Sequence, residues 1–280
     1  MTSSPTTSPI RSASAARGSD GWLRLLLMGC FVALLSGCIT TVEGNTREEA
    51  PEPERVQAQI DLARGYLAEN DFQQARRPLD RALALDNKSV EAHVLKAIVH
   101  QREEEIDLAE KHYKLALRYD SADAQALNNY GGFLFSQGRT EAAAIPLRKA
   151  VQDTGYAARA QAFVNLGLVE LALENVDDAR SAFNRSLMLN SALARPHLEL
   201  ADIYYTDGNN ARAAEHYGQF RRLARQSPRS LCLGIRLADS LSLKDELSSY
   251  RLTLKNLYPG SKEARECEGE TAPVIESSDG

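Results

Sequence analysis

Four cysteines and five histidines are the residues of this 280-residue sequence best suited to thiol or metal chemistry. Cys38 ends an apolar run, Leu25 to Leu35, that is followed by Ser36 and Gly37. Small residues ahead of a cysteine suit a peptidase. The Cys38 thiol would then take a diacylglyceryl group and the freed amine a third acyl chain; one chain holds a membrane marginally, several hold it firmly. His93 and His100 lie seven apart and share a helix face, but no cysteine or third histidine joins them in the pattern, so they read as packing or surface residues and no metal is expected. Glu103, Glu104 and Glu105 form a charge run at a helix end, read as a solvated face. The sequence contains no G-x-x-x-x-G-K-[ST], G-x-S-x-G or H-E-x-x-H motif, so the expectation is a protein without cofactor that is not an enzyme.

The segment carrying Cys38 reads as an address. Residues 1–24 are Ser/Thr/Arg-rich, and the apolar run of eleven residues suits a secretion signal and is too short to span a bilayer. Leu35-Ser36-Gly37-Cys38 resembles the lipobox of bacterial lipoproteins. Cys30 is a poorer acceptor, because Met28 and Gly29 precede it after a shorter run. Ile39 follows Cys38, and by analogy with lipoprotein sorting the absence of Asp there points to the periplasmic face of the outer membrane. Residues 1–37 are expected to be a signal peptide, and 38–55 the lipidated cysteine and a flexible, Pro-bearing tether. Cys232 and Cys267 then remain, in an oxidising compartment. A disulfide between them is one reading, a packed Cys232 with a loose Cys267 the other.

Composition excludes one class of partner. Residues 1–37 hold three arginines against one aspartate, so their removal takes the formal charge from −5 to −7. Such a chain lacks the basic surface on which nucleic-acid binding depends.

These residues must be positioned by a repeat. Ala75, Ala109, Ala143, Ala179 and Ala213 follow one another at intervals of 34, 34, 36 and 34 residues. Twelve residues before each stands another small residue: Ala63, Ala97, Gly131, Gly167 and Ala201. Four residues after each stands a large one: Leu79, Tyr113, Leu147, Phe183 and Tyr217. Small side chains at the eighth and twentieth places of a unit let two helices cross closely, and the large residue at the twenty-fourth fills the space beside the next unit. A lone helix hairpin cannot bury its apolar face, so stacking stabilises it. The pattern resembles the tetratricopeptide repeat. The expectation is an all-α superhelix of six units over 56–261: 56–89, 90–123, 124–159, 160–193, 194–227 and 228–261. The sixth is degenerate, with Leu247 in place of the small residue. Pro78 and Pro146 fall inside second helices, where proline costs about 3 kcal/mol, and are expected as tolerated kinks. The two extra residues of the third unit lengthen its connection to the fourth. Residues 262–280 are acidic, poor in apolar residues and expected to be disordered.

In this fold the first helix of each unit faces a groove. Ile60, Arg64 and Leu67, then Val94, Ile98 and Gln101, then Asn128 and Phe135 are the expected partner-binding residues, with Gly132, Val164, Leu168 and Leu171 alongside. Asn129 and Asn165 recur at the sixth place of a unit, where some tetratricopeptide domains grip a carboxylate, but the cations that complete such a clamp are not at the matching places.

Three phrases go beyond the generic repeat: Leu127-Asn128-Asn129-Tyr130-Gly131-Gly132-Phe133-Leu134, Asn165-Leu166-Gly167-Leu168 and Ser230-Leu231-Cys232-Leu233-Gly234-Ile235-Arg236-Leu237-Ala238. With Leu257-Tyr258-Pro259-Gly260-Ser261 and a lipobox ahead of six units, the chain resembles the type IV pilus biogenesis and stability lipoproteins. That resemblance implies a monomeric, lipid-anchored pilotin that uses the lipoprotein sorting machinery, binds the pilus secretin and promotes its outer-membrane localisation and multimerisation. The competing reading is a tetratricopeptide scaffold lipoprotein for peptidoglycan hydrolases or outer-membrane protein assembly.

Overall fold

The structure, a computed structural model, describes residues 51–268. Thirteen helices and no strand occupy them. They are α1 (Glu52–Ala68), α2 (Phe72–Leu85), α3 (Val90–Arg102), α4 (Ile106–Tyr119), α5 (Ala124–Ser136), α6 (Thr140–Ala150) and α7 (Arg159–Ala172). The series continues with α8 (Val176–Leu189), α9 (Ala194–Thr206), α10 (Asn210–Leu223), α11 (Pro228–Ser240), α12 (Lys244–Leu257) and α13 (Lys262–Glu268). Helices pair as hairpins in order, α1 with α2 through α11 with α12.

One local device ends the first helix of every unit. Asn70, Glu104, Gly138, Glu174, Gly208 and Ser242 all have φ between 58° and 74°. Each stands fifteenth in its unit. The following N–H then bonds back to the helix, as from Asp71 to the Tyr66 carbonyl at 2.8 Å and from Asn175 to that of Glu170 at 2.8 Å. This is the Schellman geometry, which satisfies carbonyls a helix end would leave open. Short polar side chains start several helices, as where Asp71 accepts from Gln74 N–H and Ser227 and Ser230 form a reciprocal capping box.

Every alanine at the eighth and twentieth places is fully buried: Ala63, Ala75, Ala97, Ala109, Ala143, Ala179, Ala201 and Ala213. Gly131 and Gly167 take the eighth place where the large partner leaves no room. A Cβ on Gly131 would stand 2.5 Å from Leu147 Cγ, and one on Gly167 2.5 Å from Phe183 Cε1. Pro78 and Pro146 are buried within α2 and α6, and both helices continue through them. In the third unit α6 ends at Ala150, and turns over 151–158 carry the chain to α7, with Arg159 Nε donating to the Val151 carbonyl at 2.8 Å.

Two boundaries differ from expectation. The last residues of the expected tether are helical, since α1 starts at Glu52. Pro51 and Pro53 sit at its beginning, where no carbonyl needs the N–H that proline lacks, and Glu52 and Glu54 favour its N-terminal dipole. The expected disordered tail begins with a helix. α13 packs against α11, buries Ala264 and is joined through the Cys267–Cys232 disulfide, with Cα atoms 5.8 Å apart. The disulfide is one of the two readings the sequence left open; what the polar composition of the tail hid is that Ala264 and Cys267 share one helical face. Residues 1–50, with the signal peptide and Cys38, and residues 269–280 lie outside the described residues. No described helix is long and apolar enough to cross a membrane.

Candidate partner-binding groove

First helices of successive units touch one another, α1 with α3, α3 with α5, α5 with α7 and α9 with α11. Second helices make no appreciable contact with each other among the described residues. The array therefore curves with its first helices inside. Unpaired side chains on that inner face are the surface available to a partner.

The structure redistributes the expected groove residues. Ile60 is 2 % exposed, Val94 1 % and Asn128 7 %, because each lies in the seam where its helix meets the next. They hold units together and offer nothing to a partner; Val164 behaves likewise. Leu67, Ile98, Gln101 and Phe135 are half-buried and Arg64 is exposed, so these keep a surface on the groove. Leu67 and Ile98 pack on the first core cluster, while Gln101 accepts from the Tyr113 hydroxyl at 3.2 Å. Arg64 pairs with Asp61 at 2.8 Å and with Glu91 of the second unit. The N-terminal inner face is thus charged and self-paired.

The centre of the groove is neutral. Asn165 Nδ2 donates to Asn128 Oδ1 at 2.9 Å, and Gln161 Nε2 to Asn165 Oδ1 at 3.3 Å. Phe135, Leu168 and Leu171 are half-buried on the same two helices, α5 and α7. Between α7, the start of α8, α9 and the start of α11 opens a pocket of about 450 Å³. Its apolar lining is Leu171, Val176 and Ile203, and its charged lining Asp177, Glu199, Asp202 and Asp207 with Arg180 and Arg229. Of these, only Leu171 was anticipated from sequence. Alternation across two units, the twelfth place of one and the ninth and tenth of the next, is visible only once the helices are stacked.

Most ionisable clusters bind one unit to the next. Arg76 Nε donates to Glu103 at 2.8 Å, Arg139 pairs with Glu110 at 2.9 Å, and Arg180 with Asp207 at 2.7 Å. In each case the residue at the twenty-first place meets the turn of the following unit. The Lys114 ammonium, with Arg139 and the Tyr130 hydroxyl, holds the Glu110 carboxyl down to about 2. Burial works to raise the Glu170 pKa, but hydrogen bonds from Arg148 and Asn175 outweigh it and the net shift is downward. Arg229 bonds both oxygens of buried Glu199, at 2.7 and 2.8 Å, and Asp202 at 2.9 Å. These groups are engaged in cohesion. His100, Glu103 and Glu105 also converge, but Arg76 already pairs with both carboxylates.

The histidines depart from the sequence reading. A third one does join His93 and His100: the hairpin brings His112 on α4 against His93, and its ring stacks on His100 with centroids 5.3 Å apart. His112 was missed because its partners lie on the other helix of the pair.

Comparison with known proteins follows this geometry. The tetratricopeptide repeat family model matches residues 60–118, 94–161 and 164–230. The chain is 41 % identical over 249 residues to the type IV pilus assembly protein PilF of Pseudomonas aeruginosa, covering 89 % of this chain and 99 % of that protein. A solved structure of Pseudomonas aeruginosa PilF superposes with a TM-score of 0.76 at 43 % identity, covering 79 % of this chain and 99 % of that one. The crystal structure of PilW, described as a widely conserved type IV pilus biogenesis factor, shares the fold with a TM-score of 0.66 at 24 % identity over 75 % of this chain and 97 % of that one. The sequence phrases that set this chain apart from a generic repeat each hold a glycine with no room for a side chain, Gly131 on Leu147, Gly167 on Phe183, and Gly234 on the hydroxyl end of Tyr217. This chain belongs to the family of the type IV pilus assembly protein PilF, as a tetratricopeptide-repeat protein of type IV pilus biogenesis.

Proposed function

We propose that the chain is a pilotin: a lipoprotein acylated at Cys38 and held at the periplasmic face of the outer membrane. Its groove binds the type IV pilus secretin, and the complex, carrying one lipid address, is sorted to the outer membrane where the secretin multimerises. The observation that carries this reading is family membership across nearly the whole relative. It is supported by an inner face with half-buried apolar steps left open and by the Leu35–Cys38 lipobox at the end of an apolar run.

The chain acts by binding and not by catalysis, since most of its ionisable clusters are engaged in joining units. The test is fractionation of secretin multimers from cells lacking the chain or carrying Cys38→Ala. Loss of multimers without the chain, and their stranding away from the outer membrane in Cys38→Ala, is the expected result. Normal outer-membrane multimers in both would sink the reading.

A further inference from the structure

The geometry points to a specific occupant for the C-terminal half of the groove: an extended peptide segment carrying an aliphatic side chain next to lysine or arginine. The inference rests on the groove being the partner-binding face proposed above, and it names the chemistry that face selects.

Shape is the first ground. The pocket of about 450 Å³ between α7, α8, α9 and α11 has room for one aliphatic side chain. Leu171, Val176 and Ile203 give it an apolar lining. Val176 is exposed although it could have been polar at no cost to the fold, since it is the first residue of α8.

Charge is the second. Arg195 pairs with Glu199 from outside the lining, which leaves an excess of one negative charge; the pocket itself sets four carboxylates, Asp177, Glu199, Asp202 and Asp207, against two guanidiniums, Arg180 and Arg229. Both arginines are already engaged, Arg180 by Asp177 and Asp207 and Arg229 by Glu199 and Asp202. The excess is negative and reaches solvent, with the Asp177 side chain 92 % exposed. A cation beside the anchoring residue satisfies it; an anion is repelled.

The side-chain amides of α5 and α7 are the third. Gln125 and Asn129 on α5 make no side-chain hydrogen bond among the described residues, whereas Asn128, Gln161 and Asn165 bond to one another. A carboxamide offers a donor and an acceptor together, which matches the main chain of an extended peptide and is indifferent to its side chains. Gln125 and Asn129 thus hold backbone, and the pocket reads sequence.

The experiment uses the full chain in detergent and fluorescent peptides built on a disordered Gly/Ser host, carrying Leu-Lys-Lys, Leu-Glu-Glu or Ala-Lys-Lys. Leu-Lys-Lys is expected to bind at least roughly tenfold tighter than either of the others, the size of one good contact. Val176→Trp, which fills the pocket from an exposed position, is expected to abolish that preference. Asp177→Lys is expected to invert it towards Leu-Glu-Glu, and Asn129→Ala to weaken all three peptides alike. Unchanged melting temperatures show that the variants are folded. Equal binding of the three peptides, or indifference to Val176→Trp, would overturn the proposal. So would a concentration-dependent dimer that Val176→Trp dissolves, since the pocket would then hold a second copy. Secretin multimers that still depend on the chain, with the peptide preference absent, would remove this site and leave the pilotin reading standing.

Discussion

His93 and His112 meet Nδ1 to Nδ1 at 2.9 Å, and the same contact recurs three units later between His197 and His216 at 3.0 Å. The separation is 19 residues in both pairs, from the fourth place of a unit to the twenty-third. His93 Nε2 faces the Asn87 carbonyl at 3.1 Å and His197 Nε2 the Ser191 carbonyl at 3.4 Å. A ring that donates there through Nε2 keeps Nδ1 bare as the acceptor for its partner. Each pair is therefore complete when both rings are neutral.

Burial pushes all four of these rings below the usual histidine range, and His112, with His93 and Lys96 adding to the effect, falls to about 4. The unfolded chain binds protons that the folded one refuses, so stability is full above pH 6.5 and is lost as pH falls towards 4. Urea unfolding across that window should show a loss on the order of 2 kcal/mol, and His112→Gln with His216→Gln should flatten it. A profile that is already flat in the parent protein contradicts the neutral pairing.

A second acid transition belongs to Glu110. Its pKa is held down to about 2, so its contribution is present above pH 4.5 and disappears below. Glu110→Gln should cost on the order of 1 kcal/mol at pH 7 after solvent screening and nothing at pH 2. Equal destabilisation at both would assign the loss to packing.

At Gly131 and Gly167 the packing of the opposite helix makes glycine a steric requirement. Gly167→Ala should destabilise by about 1–3 kcal/mol, because the new methyl meets the Phe183 ring. Phe183→Leu should recover part of that loss in a double-mutant cycle, and strict additivity would show that the two do not touch.

Glu174 holds φ of 62° without a side-chain reason to do so. Glu174→Gly should stabilise by up to about 1 kcal/mol, while Gly138→Ala at φ 71° should destabilise by a similar amount. Thermal melts of the two variants measure both signs.

Arg148 reaches over from α6 to bond both oxygens of Glu170, at 2.8 and 2.9 Å, with Glu170 only 2 % exposed. Arg148→Ala leaves a buried carboxylate without its cation and should cost on the order of 3 kcal/mol. Glu170→Gln in the same chain should return a share of it, and failure to do so would mean that the arginine acts by packing alone.

Much of the architecture was legible in the sequence because a repeat writes the same physical demand many times. Ala63, Ala75 and their equivalents stand where two backbones approach, so only small residues fit, and the period of the chain exposes that rule without any coordinates. Helix identity and the all-α class follow from the same repetition. What the period does not carry is the relation between units. Ile60 and Val94 look identical to groove residues in one helix, and only the next helix, laid against them, turns them into a seam. The pocket lining that sets Leu171 and Val176 beside Ile203, the meeting of His112 with His93, and the docking of α13 through Cys267 onto Cys232 all join residues of different helices. Local propensity and periodicity fix which face of a helix is apolar; how deeply that face is buried depends on its neighbour, and stacking alone decides it.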